Sequence, residues 1–403
     1  MGDVIARADP WVLLVVLVAA AFAFALSLLG LNWLFATRAT KARLVKAGPI
    51  RRLWRWYRSL WLRVPLTFAG WPHVVDVLLR TRRAAVGSTP GEIVWRDGTA
   101  SLFRFRGDVK HAEPVLIVHA VVSQPWILDL TPERSFVAAL VAEGFDVFLL
   151  DWGDAGSKQA QRGLGSYVET LLRAETVVLK RSGGERLHHV GYCFGGTLSL
   201  MRAAAFPHEH VGSVALLAAP VDFAIPAGLQ PLIAHRWFKP VYLLDGSGCV
   251  PAEAVRESFH ALRPQAIRTT WNALRRRRDR AFRAAYDPIA RWVWEHRRLP
   301  GQMFFDLVAL FRTNALVAGT LELGGAVARL ENVKAPVLVL IPERDHITPS
   351  GSSHVLSTRA GIDVTIVNAA TGHVSMVAGS VARSTTWPEV ARWLERHQSG
   401  GSA

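Results

Sequence analysis

The feature that most constrains how this chain folds is a glycine-rich hexapeptide at residues 191–196, with the sequence G-Y-C-F-G-G. Residues 186–190 before it have the pattern of a short strand, and residues 197–205 after it have the apolar composition of a helix. A G-x-C-x-G sequence in this context predicts a nucleophile elbow, in which glycines permit a cramped turn and the first helical N–H groups point at the cysteine. The hexapeptide is also compatible with a glycine-rich turn around an unreactive, buried thiol.

Apolar segments alternate with helical ones along most of the chain after residue 88. The pattern predicts strands at residues 92–95, 101–105, 114–120, 145–150, 186–190, 211–218, 336–341 and 364–367, and helices at residues 134–143, 166–181 and 388–396. Asp97 and Gly98, between the first two strands, are typical of a tight hairpin. Apolar strands that alternate with helices favour a mostly parallel sheet covered on both faces. This order predicts an α/β-hydrolase fold.

The fold class predicts where the other catalytic groups lie. In α/β-hydrolases an acid and then a histidine follow the nucleophile, each in a loop after a late strand. Asp345 follows the strand ending at residue 341, and His373 follows the strand ending near residue 367. Either residue alone is usually an ordinary surface residue, but these types in this order predict a triad with Cys193. His346 is a competing base, and we assign it a supporting role because it adjoins the acid.

The predicted triad has a defined chemistry. His373 takes the thiol proton of Cys193, and Asp345 holds the imidazole in the required tautomer. The thiolate then attacks an acyl carbonyl. Because attack on a thioester exchanges one thioester for another at little thermodynamic cost, a cysteine suits acyl transfer from a carrier thiol better than simple hydrolysis.

An oxyanion hole is predicted beside the nucleophile. The N–H of Phe194 is one donor, since it begins the helix after the elbow. A second N–H comes from the loop after the strand ending at residue 120, where Val121 and Val122 are the candidates. These groups bind the negative charge that develops on the substrate oxygen.

Composition limits the classes of function. Cys193 and Cys249 are the two cysteines of the chain, too few for a disulfide framework, and they indicate a reducing compartment. The formal net charge of +15 indicates an anionic partner: lipid head groups, nucleic acid or a phosphate-bearing substrate. The sequence shows no P-loop, no dinucleotide-binding glycine pattern and no cluster of metal ligands, so we predict neither a metal nor a cofactor.

The N-terminal region predicts a membrane anchor. Residues 11–35 are free of charged side chains and long enough to cross a bilayer. No small-residue cleavage site ends the run, so we expect the anchor to be retained. The cations that follow it are Arg38, Lys41, Arg43, Lys46, Arg51, Arg52, Arg55, Arg58 and Arg63. By the positive-inside rule this distribution predicts a single-pass protein of a bacterial-type inner membrane, with its catalytic domain in the cytoplasm.

Aromatic residues alternate with the arginines of this basic segment, as in chains that lie in the head-group layer of a membrane. Two alternatives remain open: a solvated helix packed on the body of the protein, and a nucleic-acid-binding segment with interleaved basic and aromatic side chains. Because the segment follows a predicted membrane span, we favour contact with anionic membrane lipids over nucleic acid.

Residues 90–385 resemble the polyhydroxyalkanoate synthases. Beyond the hexapeptide, the motifs that carry the resemblance are V-L-I-V at residues 115–118, P-W-I-L-D-L at 125–130, D-W-G at 151–153, A-P-V-D-F at 219–223, D-H-I-T-P at 345–349 and G-H at 372–373. The resemblance implies that Cys193, Asp345 and His373 are the catalytic triad. It also implies that (R)-3-hydroxyacyl-CoA is polymerised to a polyester with release of CoA, and that the Asp assists the incoming hydroxyl.

The resemblance further implies a cap domain at residues 224–334 and a homodimer or a second synthase subunit as partner. In the cap, Trp294 and Glu295 lead to Leu299 and Pro300 without the Asn and Asp that are usual in the family. Asp154 likewise follows the D-W-G motif where the family commonly has Pro. Two other functions stay open: a thioesterase or polyester depolymerase on the same scaffold, and a membrane-tethered scaffold without catalysis.

A run of arginines in the cap is a candidate substrate-binding site, and it comprises Arg275, Arg276, Arg277 and Arg278. Such a run is most often a solvated or membrane-facing helix surface. The functional alternative is recognition of the CoA phosphates, which arginine forks suit geometrically.

We therefore predict six consecutive regions in the chain. They are a transmembrane anchor at 1–36, a basic aromatic juxtamembrane segment at 37–87, the first part of the α/β-hydrolase core at 88–223, the cap insertion at 224–334, the second part of the core at 335–397 and a flexible tail at 398–403.

Overall fold

The structure is a computed structural model that describes residues 71–208, 210–261, 272–359 and 361–399. The predicted anchor at residues 1–36, and the basic segment as far as residue 70, lie outside these ranges. Of the helices within them, none has both the length and the apolar character needed to cross a bilayer. The chain divides into one unit at Met1–Arg80 and another at Thr81–Ala403, and the strands described below belong to the second.

Helices and strands alternate along the described ranges. In chain order they are α1 (Trp71–Arg82), β1 (Glu92–Asp97), β2 (Ala100–Phe105), β3 (Val115–Val118), α2 (Phe136–Ala142), β4 (Val147–Asp151), α3 (Leu164–Ser182), β5 (Leu187–Tyr192), α4 (Phe194–Ala205), β6 (Val211–Leu217), α5 (Gln230–Ala234), β7 (Cys249–Val250), α6 (Ala252–Ala261), α7 (Arg280–Trp294), β8 (Leu299–Pro300), α8 (Gly301–Thr313), α9 (Ala315–Ala318), β9 (Leu321–Leu323), β10 (Ala326–Ala328), β11 (Val337–Pro342), β12 (Val364–Ala369), α10 (Ser375–Ala378) and α11 (Thr386–Arg396).

An eight-stranded sheet forms the centre of the second unit, with the strand order β1-β2-β4-β3-β5-β6-β11-β12. β2 pairs antiparallel with both β1 and β4, and every pair from β4 to β12 is parallel. β3, β5, β6 and β11 are buried along their whole length, and β3 and β11 are apolar throughout, as expected for central parallel strands. The mostly parallel sheet that the sequence predicts is confirmed.

Apolar side chains fill both faces of this sheet. Successive residues of β3 alternate between them: Leu116 and Val118 pack with α3 and α4, while Val115 and Ile117 pack with α2, α10 and α11. This alternation follows from the period of two in a strand. Two helical layers therefore hold the sheet rigid, and the carboxyl ends of its parallel strands share one edge.

The chain between β6 and β11 includes the cap segment, residues 224–334, where the sequence shows no regular pattern. It contains α5 to α9 and two small antiparallel ladders, β7 with β8 and β9 with β10. Asn314 ends α8 in a left-handed conformation with φ 50°. Its side chain accepts a hydrogen bond from the N–H of Phe223 at 3.0 Å and donates one to Asp222 at 2.8 Å. α8 is thereby tied to the residues that follow β6.

A buried ionic cluster fixes α4, the helix after the elbow, against α3. Nη2 of Arg202 lies 2.5 Å from Oε2 of Glu175, and both side chains are 1% exposed. Burial alone would raise the pKa of Glu175, but hydrogen bonds from His189 and His210 and the charge of Arg202 lower it below its ordinary value. The carboxylate therefore stays ionised, and the helix that carries the elbow has a fixed position.

Candidate active site

Cys193 lies at the turn between β5 and α4, as the hexapeptide predicts. Its backbone has φ 54° and ψ −132°, a strained conformation for a residue with a side chain, which costs on the order of 1–3 kcal/mol. A Cβ atom on Gly195 would lie 2.2 Å from the Val118 oxygen, and one on Gly191 would lie 2.2 Å from Cα of Gly196. Close packing therefore requires the glycines on both sides of a strained cysteine, which is the geometry of a nucleophile elbow.

His373 and Asp345 meet in the loops that follow β12 and β11. Nδ1 of His373 lies 2.7 Å from Oδ2 of Asp345. Oδ1 of Asp345 accepts hydrogen bonds from the N–H groups of Ile347 at 2.7 Å and Thr348 at 3.0 Å. A carboxylate held in this way accepts the Nδ1–H of the imidazole, which leaves Nε2 to interact with Cys193. The three residues predicted as a triad are therefore brought together.

The pKa of His373 is raised by its partners in the site. Burial favours its neutral form, but the negative charge of the Cys193 sulfur and the hydrogen bonds to Asp345 and Cys193 outweigh burial and raise the pKa of His373 from 6.5 to about 10. An imidazole whose pKa is raised in this way is suited to hold the proton that Cys193 gives up when it attacks a carbonyl.

A cavity of about 320 Å³ opens above Cys193 and His373. Side chains of the cap segment form much of its wall, and most of them are apolar. These apolar cap residues include Ile233, Val255, Phe259, Trp292, Met303 and Phe311. An apolar cavity with a few polar groups at one end is typical of a site that buries an acyl chain and holds its carbonyl in place.

The predicted oxyanion donors line the same cavity. They are the N–H groups of Phe194, at the start of α4, and of Val121 and Val122, in the loop after β3. Within the described part of the chain none of these N–H groups has a hydrogen-bond acceptor. N–H groups free to bind a substrate oxygen beside a nucleophile are what an oxyanion hole requires. Their role as donors stays a prediction.

The loop of residues 119–124, here called the oxyanion loop, is held by residues that the sequence analysis did not assign to the site. The indole N–H of Trp152 donates to the His119 oxygen at 2.9 Å, and that of Trp292 donates to the Gln124 oxygen at 3.0 Å. The backbone N–H of Arg297 donates to the Val122 oxygen at 2.9 Å. For the Arg297 contact the only sequence signal was the departure of residues 294–300 from the family pattern, and the contacts of Trp152 and Trp292 had none.

The arginine run lies away from the cavity. Arg276 pairs with Asp279 at 2.6 Å and lies over the ring of Phe282, and Arg277 donates to the Leu274 oxygen at 3.2 Å. Arg275 and Arg278 are exposed. None of the four is among the residues that line the described cavity. A ligand that extends beyond the cavity would be needed to reach them, and phosphate recognition stays a prediction.

The remaining polar candidates are outside the reactive centre. His346, the competing base, is exposed and does not line the cavity. Cys249 is buried, carries a free thiol and directs its sulfur at the Gly156 oxygen, 3.5 Å away. Of the two cysteines, Cys193 is therefore the one that a substrate in the cavity reaches.

Known proteins share this architecture. Residues 113–363 match the family profile described as alpha/beta hydrolase fold. The chain belongs to this family. Residues 83–140 also match the profile described as the N-terminus of poly-beta-hydroxybutyrate polymerase (PhaC). The fold class predicted from the order of strands and catalytic residues is confirmed.

Several relatives are named as polymerases. The poly(3-hydroxyalkanoate) polymerase subunit PhaC of Haloferax mediterranei is 29% identical over 365 residues, which cover 83% of this chain and 73% of that protein. The subunit of the same name from Synechocystis sp. is 29% identical over 327 residues, which cover 78% and 86%. The resemblance to polyhydroxyalkanoate synthases is confirmed. Among solved structures, a monoacylglycerol lipase from Paleococcus ferrophilus matches with TM-score 0.44 at 17% identity, covering 74% of this chain and 99% of its own.

Proposed function

We propose that this protein is an acyltransferase that polymerises (R)-3-hydroxyacyl groups from their CoA thioesters into a polyester and releases CoA. The observation that carries the proposal is the arrangement of Cys193, His373 and Asp345 at the end of an apolar cavity. The names of the relatives, poly(3-hydroxyalkanoate) polymerases, support the choice of substrate.

The first half of the reaction transfers an acyl group to the enzyme. Sγ of Cys193 attacks the thioester carbonyl carbon while His373 holds the proton of the former thiol. The N–H groups of Val121, Val122 and Phe194 bind the oxyanion of the tetrahedral intermediate. The bond from carbon to the CoA sulfur then breaks, the CoA sulfur takes the proton from Nε2 of His373, and a thioester to Cys193 remains.

The second half makes the ester bond. The hydroxyl of another hydroxyacyl group attacks the carbonyl of the acylated Cys193, His373 takes the hydroxyl proton, and the cysteine leaves with the electron pair of its bond. The family resemblance implies that Asp345 assists this hydroxyl. The side chain of Asp345 is fully buried and does not line the cavity. One of its oxygens accepts from the N–H of Ile347 and the other from Nδ1 of His373. We therefore propose that Asp345 orients His373. The base that takes the hydroxyl proton is then His373.

Membrane attachment is a separate part of the proposal. We infer from the sequence that residues 11–35 anchor the protein in a bacterial-type inner membrane, that the basic segment after them contacts anionic lipids, and that the catalytic domain faces the cytoplasm. If so, the full chain stays in the membrane pellet after an alkaline wash, while a chain that begins at residue 37 does not. Recovery of the full chain in the wash would contradict the anchor.

The experiment that tests the catalytic proposal measures CoA release from (R)-3-hydroxybutyryl-CoA by the full, detergent-purified chain, with the product sized in the same reaction. Cys193→Ala is the inactive variant, and Cys249→Ala is the matched control. Release that requires Cys193 and yields long polyester supports the synthase. Release that requires Cys193 but yields only free acid moves the assignment to a thioesterase.

The need for a partner is tested in the same assay. The relatives are named subunits, and the family resemblance implies a homodimer or a second synthase subunit. If neither (R)-3-hydroxybutyryl-CoA nor longer hydroxyacyl-CoA donors give CoA release, the synthase proposal fails for this chain alone. A candidate second subunit is then added. CoA release that appears only with this subunit means that a partner was missing, and no release with it favours a scaffold without catalysis. Light scattering of the purified protein shows whether it is a homodimer.

A further inference from the structure

Arg297 belongs to the cap segment in sequence but contacts the core. It lies between α7 and β8, within the residues that depart from the family pattern. Only 10% of its side chain is exposed. Desolvating a guanidinium is costly unless its donors are paired, so the partners of Arg297 indicate why a buried arginine occupies this position.

One set of partners is the carboxylate of Asp151, at the end of β4. Nη1 of Arg297 donates to Oδ1, and Nη2 lies 3.1 Å from Oδ2, so the pair is bidentate. Burial alone would raise the pKa of Asp151, but the guanidinium and the N–H of Gly153 lower it below its ordinary value. Burial also lowers the pKa of the adjacent His119 to about 3, so that imidazole is neutral. Arg297 therefore supplies the positive charge that Asp151 faces.

The other partners belong to the oxyanion loop. The backbone N–H of Arg297 donates to the Val122 oxygen at 2.9 Å, and Nη2 donates to Oε1 of Gln124 at 2.8 Å. These bonds hold the peptide between Val122 and Ser123 and the side chain of Gln124, directly after the two candidate donors. Asp151 is the fixed point of this arrangement because its own strand is paired on both sides.

We propose that Arg297 is a positioning residue, which holds the N–H groups of Val121 and Val122 toward the carbonyl oxygen of a substrate bound at Cys193. This inference rests on the donors assigned under the proposed function. Preorganised donors stabilise the oxyanion because no reorganisation is needed when its charge develops. Arg297 connects the cap segment both to Asp151 of the core and to the oxyanion loop.

Arg297→Lys tests the inference most directly. Lysine keeps the positive charge for Asp151 but lacks the planar fork that also reaches Gln124. Because loss of a complete oxyanion donor lowers kcat about 10²–10³-fold, we expect misplaced donors to lower kcat for CoA release about 30-fold, with KM nearly unchanged. Arg298→Lys is the matched control, since the neighbouring side chain is exposed, and it should keep its kcat.

A second readout separates positioning from general damage. Alkylation of Cys193 by iodoacetamide, measured in a Cys249→Ala background, forms no oxyanion at a carbonyl carbon and should keep its rate in Arg297→Lys. A rise in KM without a fall in kcat, or an equal fall in alkylation and turnover, would overturn the inference. If Arg297→Lys does not fold, Gln124→Ala removes one arm of the contact and should lower kcat about tenfold, and an unchanged kcat would overturn the inference.

An acyl p-nitrophenyl ester keeps the two proposals distinguishable. If the wild-type chain forms an acyl-Cys193 from this ester but releases no CoA from a thioester, the synthase proposal fails. The ratio of the Arg297→Lys and wild-type acylation rates on the ester then still decides the role of Arg297. A wild-type chain that reacts with neither would overturn both.

Discussion

The core side and the cap side of the active site are built in different ways. The core supplies Cys193, Asp345 and His373 from loops at the carboxyl ends of β5, β11 and β12, which are fixed by a sheet buried on both faces. The cap segment supplies apolar side chains from helices such as α6, α7 and α8, together with Arg297. The core thus presents reactive groups, whereas the cap encloses the space in front of them.

This difference separates the reaction from the choice of substrate. A nucleophile, a base and an oxyanion hole act on the acyl carbonyl whatever chain is attached to it. The length of acyl chain that fits depends on the wall of the cavity, most of which is contributed by the cap. Substitutions in the core should therefore lower all activities together, while those in the cap should alter the preference among substrates.

The largest effect is expected at Cys193. Cys193→Ala should lower CoA release about 10⁵-fold or more, because a nucleophile and its base act as one unit. Cys249→Ala should keep its turnover, because that thiol does not line the cavity. The measurement is the rate of CoA release by each purified variant. Comparable losses in both variants would mean that Cys193 acts through stability rather than chemistry.

The next effect concerns Asp345. Asp345→Asn keeps the shape of the side chain but favours the wrong imidazole tautomer, so we expect kcat to fall about 10⁴-fold. Unfolding in denaturant, followed alongside turnover, checks that the variant is folded. A loss of less than tenfold, roughly the size of one weakened hydrogen bond, would contradict the orienting role.

The charge on His373 gives the core a pH signature. Its pKa is raised from 6.5 to about 10 in the folded protein, so the stability that its charged form contributes is fully present below pH 6.5 and is lost as the pH rises through about 10. Asp345→Asn and Cys193→Ala each remove a partner that raises this pKa. We expect the titration midpoint of the imidazole, measured by NMR, to fall in both. A midpoint that moves in neither would contradict the contacts of His373 with Asp345 and Cys193.

A smaller and selective effect is expected in the cap. Ala254 of α6 lines the cavity, and Ala254→Leu should shorten the space for the acyl chain. We expect kcat/KM for an eight-carbon relative to a four-carbon hydroxyacyl-CoA to fall about tenfold. Ala252→Leu, on the same helix but not lining the cavity, is the control. An equal fall in kcat/KM for both substrates would mean that the acyl chain does not lie against Ala254.

The smallest effect is expected at the arginine run. If Arg275 and Arg278 contact the CoA phosphates outside the cavity, charge reversal of both to Glu should raise KM for an acyl-CoA about threefold, because exposed ion pairs contribute little. Activity toward an acyl p-nitrophenyl ester, which has no phosphate, should not change. Charge reversal at the exposed Arg383 is the control. An unchanged KM for the acyl-CoA would remove the phosphate role.

The core side of the site was predictable because each of its signals is local. The glycines around Cys193 occur within a few residues of it, and the backbone strain that they accompany is part of the same turn. Asp345 and His373 each follow a strand whose apolar sequence identifies it. The cap side was not predictable in this way, because α6, α7 and α8 line one cavity although their sequences show no shared pattern.

Arg297 shows where sequence reasoning stops. It was visible as a departure from the family pattern, but its partner Asp151 is 146 residues away in the chain. Neither residue alone indicates the other, because arginines and aspartates are usually solvated surface residues. The same holds for Asn314, which joins α8 to Phe223 across 91 residues.

The sequence by itself determined the fold class, the elbow at Cys193 and the order of the acid and the base, because strand periodicity and turn chemistry act over a few neighbouring residues. Only the tertiary structure decided that the cap encloses an apolar cavity and that Arg297 contacts both Asp151 and the loop of Val121 and Val122. Those features depend on which segments, distant in the sequence, pack against each other. That packing is determined by the burial of apolar side chains throughout the core and not by any local sequence pattern.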